Sequence, residues 1–146
     1  ATAPFSSDGI RMKDLQIIKD GKLTAIHGST PFCRYLGLKP TGNFSKTRCD
    51  NQGSESFEDM KKKRCLVAVT FSDFQTDAMS GHFGGEIRLA YLVEDGKITP
   101  VTGGSVNGNL IEAQQNVVFS TDRYVSAGYE GPYAAKFENV SVAGVE

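Results

Sequence analysis

Along this chain, apolar residues fall in short runs with a two-residue alternation, and polar turn residues punctuate them. That pattern predicts strands, because successive side chains of a strand face opposite sides of a sheet. Leu15-Gln16-Ile17-Ile18 and Lys22-Leu23-Thr24-Ala25-Ile26 flank Lys19-Asp20-Gly21. Asp-Gly between two such runs predicts a hairpin, since the tight turn needs positive φ and glycine reaches it without a Cβ clash. A second hairpin is expected where residues 86–93 alternate before Asp95-Gly96 and residues 97–101 return. Pro100 has no N–H for a ladder, so the returning strand is expected at an edge or bulged there. Further strands are expected over 66–74 and 134–142. The second of these should bend at Asn139, with Phe137, Val140 and Val142 supplying apolar contacts.

Helices are expected to be few and short. Thr30 is placed to cap a turn that Pro31 opens and Gly37 closes. Ser54 is placed to cap residues 55–63. Asn107 or Asn109 is placed to cap residues 110–118, where Leu110, Ile111, Gln114, Val117 and Val118 keep helical spacing. The stretch 41–53, rich in Gly, Asn, Ser and Gln, predicts a loop. Residues 17–28 also echo residues 92–103 (95 − 20 = 75 positions apart), a pattern that an internal duplication would leave. Together these elements define an α+β fold over residues 1–146 as a single domain. It is predominantly antiparallel β, as a sandwich or an open barrel-like sheet, with two or three short helices.

Composition narrows the function classes. A length of 146 residues suits one domain with a single core, and 39% hydrophobic with 23% charged residues argues against wholesale disorder. No apolar run approaches the roughly 20 residues of a membrane-spanning helix, so no membrane partner is expected. Sixteen Lys and Arg against seventeen Asp and Glu give a net charge of −1. Direct nucleic-acid binding, which depends on phosphate neutralisation, is therefore not expected. The one basic run, Lys61-Lys62-Lys63-Arg64, follows acidic residues 55–59 and reads as a solvated helix end whose charges suit the helix dipole. The first eight residues have neither the basic nor the apolar region of a signal peptide. Cys33, Cys49 and Cys65 form an odd set with no C-x-x-C pair. They read as small reduced residues in a cytoplasmic protein, with a Cys33–Cys49 or Cys49–Cys65 bridge left open for an exported one.

Several segments, taken in order, resemble one family. They are Asp8-Gly9, residues 15–23, Tyr35-Leu36-Gly37-Leu38 and Pro40-Thr41-Gly42-Asn43, followed by the longer stretch from Ser80-Gly81-His82-Phe83 through residues 90–98 to Leu110. The run 137–144 closes the series. These resemble the C-terminal domain of TldD/PmbA proteins from about Asp8 to Gly144. The family has been labelled a modulator of DNA gyrase, and its better supported role is that of a metallopeptidase on unfolded or peptide substrates. The resemblance implies a longer parent protein whose metal-binding H-E-x-x-x-H helix lies upstream, with a Cys in a Gly-rich C-terminal loop as a further ligand.

This chain departs from that pattern. His27 and His82 are its only histidines, and neither belongs to H-E-x-x-x-H. The loop that should carry the ligand Cys reads Ser126-Ala127-Gly128-Tyr129-Glu130-Gly131-Pro132. Catalytic zinc needs about three protein ligands, so no catalytic and no metal-binding residues are assigned. The resemblance is closer to the metal-free, PmbA/TldE-like branch. His82, Tyr129 and Glu130 are the candidate substrate-binding residues, with the bland alternative for His82 and His27 being polar residues in strand-connecting bends. His82 and Glu86 are expected not to share a face. Asp73, Asp77 and Glu86 are candidates for a carboxylate group in space, and residues 103–109 for an anion-cradling turn or a plain tight turn. The expected function is a peptide-binding wall and oligomer interface, not catalytic alone, with zinc only through an upstream segment or partner subunit. Expected partners are an extended peptide and either a second copy or a TldD-like subunit. Two alternatives stand beside it: an active zinc metallopeptidase at full length, and a stand-alone interaction domain.

Overall fold

The computed structural model describes residues 3–144, so the two residues at each end of the expected 1–146 domain lie outside the described residues. In chain order the elements are β1 (Ile18–Lys19), β2 (Lys22–Leu23), α1 (Thr30–Tyr35), β3 (Thr47–Arg48), α2 (Phe57–Met60), β4 (Cys65–Thr76), β5 (His82–Glu94), β6 (Lys97–Val101), β7 (Ser105–Asn109) and α3 (Leu110–Ala113). A 3₁₀ turn (Gln114–Asn116) then leads to β8 (Val118–Phe119), β9 (Arg123–Val125), β10 (Tyr129–Pro132), β11 (Ala135–Lys136) and β12 (Ser141–Ala143). The fold is α+β and mostly antiparallel, with three short helices. Its sheets are open; β3 and β10 pair in parallel, and Glu55 makes an isolated parallel bridge to Ser120. The contacts group the chain into two compact units, residues 3–49 with 125–130 and residues 50–124 with 131–144.

In the larger unit, β5 is the spine. It pairs with β4 along one side, and on its other side with β7 through its first half and β6 through its second. β12 extends the sheet beyond β7. Ile87, Ala90 and Val106 are buried at its centre, with Leu66, Phe71, Val101 and Val140 packed around them. Burial of an aliphatic side chain the size of Ile87 or Val106 contributes about 1.5–3 kcal/mol. Residues 53–55, 118–122 and 134–136 knot the unit together. Ser54 N donates to the Phe119 carbonyl, and buried Ser120 exchanges bonds with Ala134, through its N–H to the Ala134 carbonyl and its hydroxyl from the Ala134 N–H. Gly53 lies against this knot so closely that a Cβ there would overlap the Ser120 carbonyl.

Both Asp-Gly hairpins form. Asp20 and Asp95 each have φ 49°, with Gly21 at 71° and Gly96 at 75°, so the two turns are alike. Their strands are not: β1 and β2 are two residues each, shorter than the expected 15–18 and 22–26, because Ile18 and Leu23 stay about two-thirds exposed and bury little. Pro100 lies on β6, whose one strand partner is β5, so the edge expectation holds.

The helices correct several expectations. α1 starts with Ser29 rather than Thr30 at its cap, and the Thr30 N–H is satisfied by the Asp8 carboxylate at 2.8 Å. α2 is capped by Ser56, not Ser54, and covers four residues of the expected nine. Residues 54 and 55 are held extended against 119–121, so the helix can open only after them. Asn109 caps α3 as one of the two expected candidates, with its side chain accepting from Ile111 N. The helix ends at Ala113 because β-branched Val117 and Val118 turn extended and Val118 joins β8 against β11. Residues 105–109, expected as a turn, form β7, since β5 and β12 both offer it ladder partners. The 41–53 loop holds one short strand, β3. The 134–142 strand is broken in two around Asn139 (φ 59°), and of its apolar residues only Val140 packs on the core, Phe137 and Val142 being about half exposed.

Candidate functional site

The segment 126–132 is built by a tight turn and a strand. Ser126 N donates to the Tyr129 carbonyl at 2.8 Å, and the Ser126 hydroxyl accepts from Tyr129 N at 3.2 Å. Tyr129 and Glu130 then run parallel to Thr47 and Arg48. The Glu130 carbonyl accepts from Cys49 N at 2.8 Å, and its carboxylate meets Lys46 Nζ at 2.8 Å and Arg48 Nε at 3.8 Å. The Lys46 pair, about a third exposed, is only partly screened, whereas Arg48 is 65% exposed and its attraction is weaker. A divalent metal would have to displace two cations from the segment's one carboxylate, and the segment has neither thiol nor imidazole. The donor set does not fit zinc, and among the described residues no three of His, Cys, Asp and Glu come together to hold a metal. The three cysteines are free thiols.

His82 lies in the other unit, as the first residue of β5, directly after the β4–β5 turn. Its carbonyl accepts from Asp77 N at 2.8 Å. The Asp77 carboxylate bonds the Ser80 hydroxyl at 2.6 Å and Met79 N at 2.8 Å. Those bonds, Ser80 first, hold its pKa below the ordinary 3.8, with a smaller attraction from His82. His27 is exposed and edge-on to Phe44 at 5.7 Å. The face of the sheet carrying His82 is a shallow groove of about 620 Å³, lined among others by Asp73, Gln75, Glu86, Ser105 and Asn107.

That face corrects one expectation. An even spacing on a strand does place His82 and Glu86 on one side, and the burial alternation through Gly85 and Ile87 confirms it. Four residues at roughly 3.3 Å each still keep them too far apart to share one ion. Of the candidate carboxylates, Asp73 and Glu86 stand opposite each other across β4 and β5. The Ser72 hydroxyl donates to Glu86 at 2.7 Å, which offsets part of the repulsion. Within residues 103–109, Gly103 donates to the Ile87 carbonyl, and residues 105–109 pair with β5 as a strand.

The sequence reasoning missed the free side of β4. The two-residue turn makes Glu94 and Lys97 a hydrogen-bonded pair, so residues 92 and 90 of β5 also face β6, and 93 and 91 face β4. Their partners Cys65 and Val67 thus face β5, leaving the main-chain groups of Leu66 and Ala68 pointing out of the sheet. Beyond Ala68 the ladder shifts register three times before it reaches Glu86. The Asp-Gly turn was the signal that could have set this phase.

Residues 1–144 match the family described as the PmbA/TldA metallopeptidase C-terminal domain. The chain is 35% identical over 124 residues to Metalloprotease PmbA of Escherichia coli O157:H7, covering 81% of this chain and 27% of that protein. It is 30% identical over 134 residues to a Metalloprotease TldD homolog of Haemophilus influenzae, covering 82% of this chain and 28% of that protein. Its fold matches TldE from Thermococcus kodakarensis with a TM-score of 0.73 at 20% identity, over 97% of this chain and 36% of that one. The chain thus spans little more than a quarter of the length of the curated relatives it matches. With sequence and fold in agreement, this chain belongs to the PmbA/TldA metallopeptidase C-terminal domain family.

Proposed function

We propose that this domain serves a metallopeptidase-related protein as a peptide-holding wall and subunit interface, with the metal supplied by an upstream segment or a partner subunit. The observation that carries the reading is the state of Glu130, the one carboxylate of the family's site loop, which Lys46 and Arg48 already neutralise. A loop so arranged suits contact with substrate or partner better than ion binding, as in a metal-free, PmbA/TldE-like subunit paired with a TldD-like one. The outward main-chain groups of Leu66 and Ala68 fit an extended peptide, because strand addition uses backbone bonds that do not depend on side-chain sequence. That suits unfolded substrates. A cytoplasmic site of action belongs to the same proposal; no helix among the described residues is long and apolar enough to cross a membrane.

Fluorescence anisotropy with a labelled, carboxymethylated casein fragment tests the reading. The chain should bind it without cleaving it. Ala68→Pro, which removes an outward N–H and leaves the β4–β5 ladder its bonds, should weaken binding at least about tenfold. A wild-type chain that leaves the anisotropy unchanged, or that cleaves the fragment unaided, overturns the proposal.

A further inference from the structure

We infer that Pro100 closes the outer edge of β6 against pairing with another strand, including β6 of a second copy of this chain. The register is Glu94↔Lys97, Val93↔Ile98, Leu92↔Thr99, Tyr91↔Pro100 and Ala90↔Val101. A two-residue turn makes the first of these pairs hydrogen-bonded, and the bonding then alternates. Lys97, Thr99 and Val101 spend their main-chain groups on β5. Ile98 and Pro100 point theirs outward, toward the edge that no strand among the described residues covers. The missing N–H of proline therefore falls on the outside. Inside the ladder it would break a bond to β5; here it removes the second of two donors an incoming strand would need.

The rest of β6 needs such a guard. Ile98, Thr99 and Val101 are β-branched, Ile98 is 56% exposed, and the strand carries one charge, Lys97, at the turn. An uncovered, apolar, nearly uncharged edge is a template for association. The other long free edge, β4, is protected differently, by its register shifts between Ala68 and Asp73. Pro100 protects β6 by chemistry, and so it separates strand addition at Leu66–Ala68 from self-pairing at β6.

Pro100→Thr restores the outward N–H on a residue suited to strands. Sedimentation velocity of the whole chain over a concentration series should show self-association strengthened at least about tenfold over wild type. Adding Ile98→Lys to that variant should abolish the gain. If Pro100→Thr keeps the wild-type circular dichroism and sediments as wild type does, the inference is wrong. Should Pro100→Thr fail to fold, Pro100→Ala restores the same N–H with a smaller side chain and decides between the same two results.

Discussion

Glu130 shows how much of a candidate residue's surroundings lies beyond local sequence. The resemblance singled it out as a candidate substrate-binding residue in the run Ser126 to Pro132. Its neutralisation by Lys46 and Arg48 was not, because those residues lie more than eighty positions away and are brought in by a parallel pairing that no local pattern announces. Asp59 is the opposite case, since everything that shifts it is local. The Lys62 ammonium and then the Ser56 hydroxyl lower its pKa from 3.8 to about 2. A depressed carboxylate contributes stability that is present above its unfolded pKa and lost as pH falls through the folded value. Carbon-detected NMR titration should therefore find Asp59 ionised down to about pH 2, with Asp77 also titrating below the ordinary range. Asp59→Asn should remove that part of the acid dependence and release the Lys62 pKa from its raised value. Gly53 gives the strongest single-residue prediction. Gly53→Ala puts a Cβ into the Ser120 carbonyl, and urea unfolding should show a loss of about 2–4 kcal/mol. A loss under about 1 kcal/mol would mean that the knot of 53–55, 118–122 and 134–136 yields easily.

Elements whose cause lies within a few residues were legible. Both Asp-Gly turns were, since the backbone demand and the residue that meets it are adjacent in sequence. Pro100 likewise marked an edge. The helices were harder to bound: the spacing of 110–118 continues past Ala113, but Val117 turns extended and Val118 joins β8. Gly103 and Gly104 do turn, with φ of 77° and 78°, but residues 105–109 were misread because glycine content signals a turn only where no neighbouring strands are waiting to pair with it. The two hairpins, alike in turn geometry, should respond differently to the same change. Gly96→Ala forces a φ near 75° on a residue with a Cβ, at a cost of roughly 1–2 kcal/mol in global unfolding. Gly21→Ala imposes the same strain on two-residue strands with exposed Ile18 and Leu23, so the loss should appear as local fraying in amide exchange and hardly in the denaturation midpoint. Equal shifts in midpoint for both variants would contradict this account.

At the scale of the whole molecule, burial is uneven. The described part of the smaller unit buries only Cys33 and Gly42, whereas the β5 sheet holds Ile87, Ala90, Val93 and Val106 away from solvent. Amide exchange should be slowest along β5 and faster across residues 3–49; the reverse order would mean the core has been misplaced. The α+β class was readable because alternation and turn chemistry are carried along the whole chain, and the family because several segments resemble it in order. The partition into two units was not, since it depends on residues 125–130 joining the first forty-nine. The proposed function is a separation of labour, in which this polypeptide would shape a surface for peptide and the ion would come from elsewhere. Equilibrium dialysis of the purified chain against zinc, followed by metal analysis, tests that most directly. Substoichiometric zinc that a weak chelator strips away is the expected result. One tightly held zinc per chain, with Glu130 needed to retain it, would contradict it.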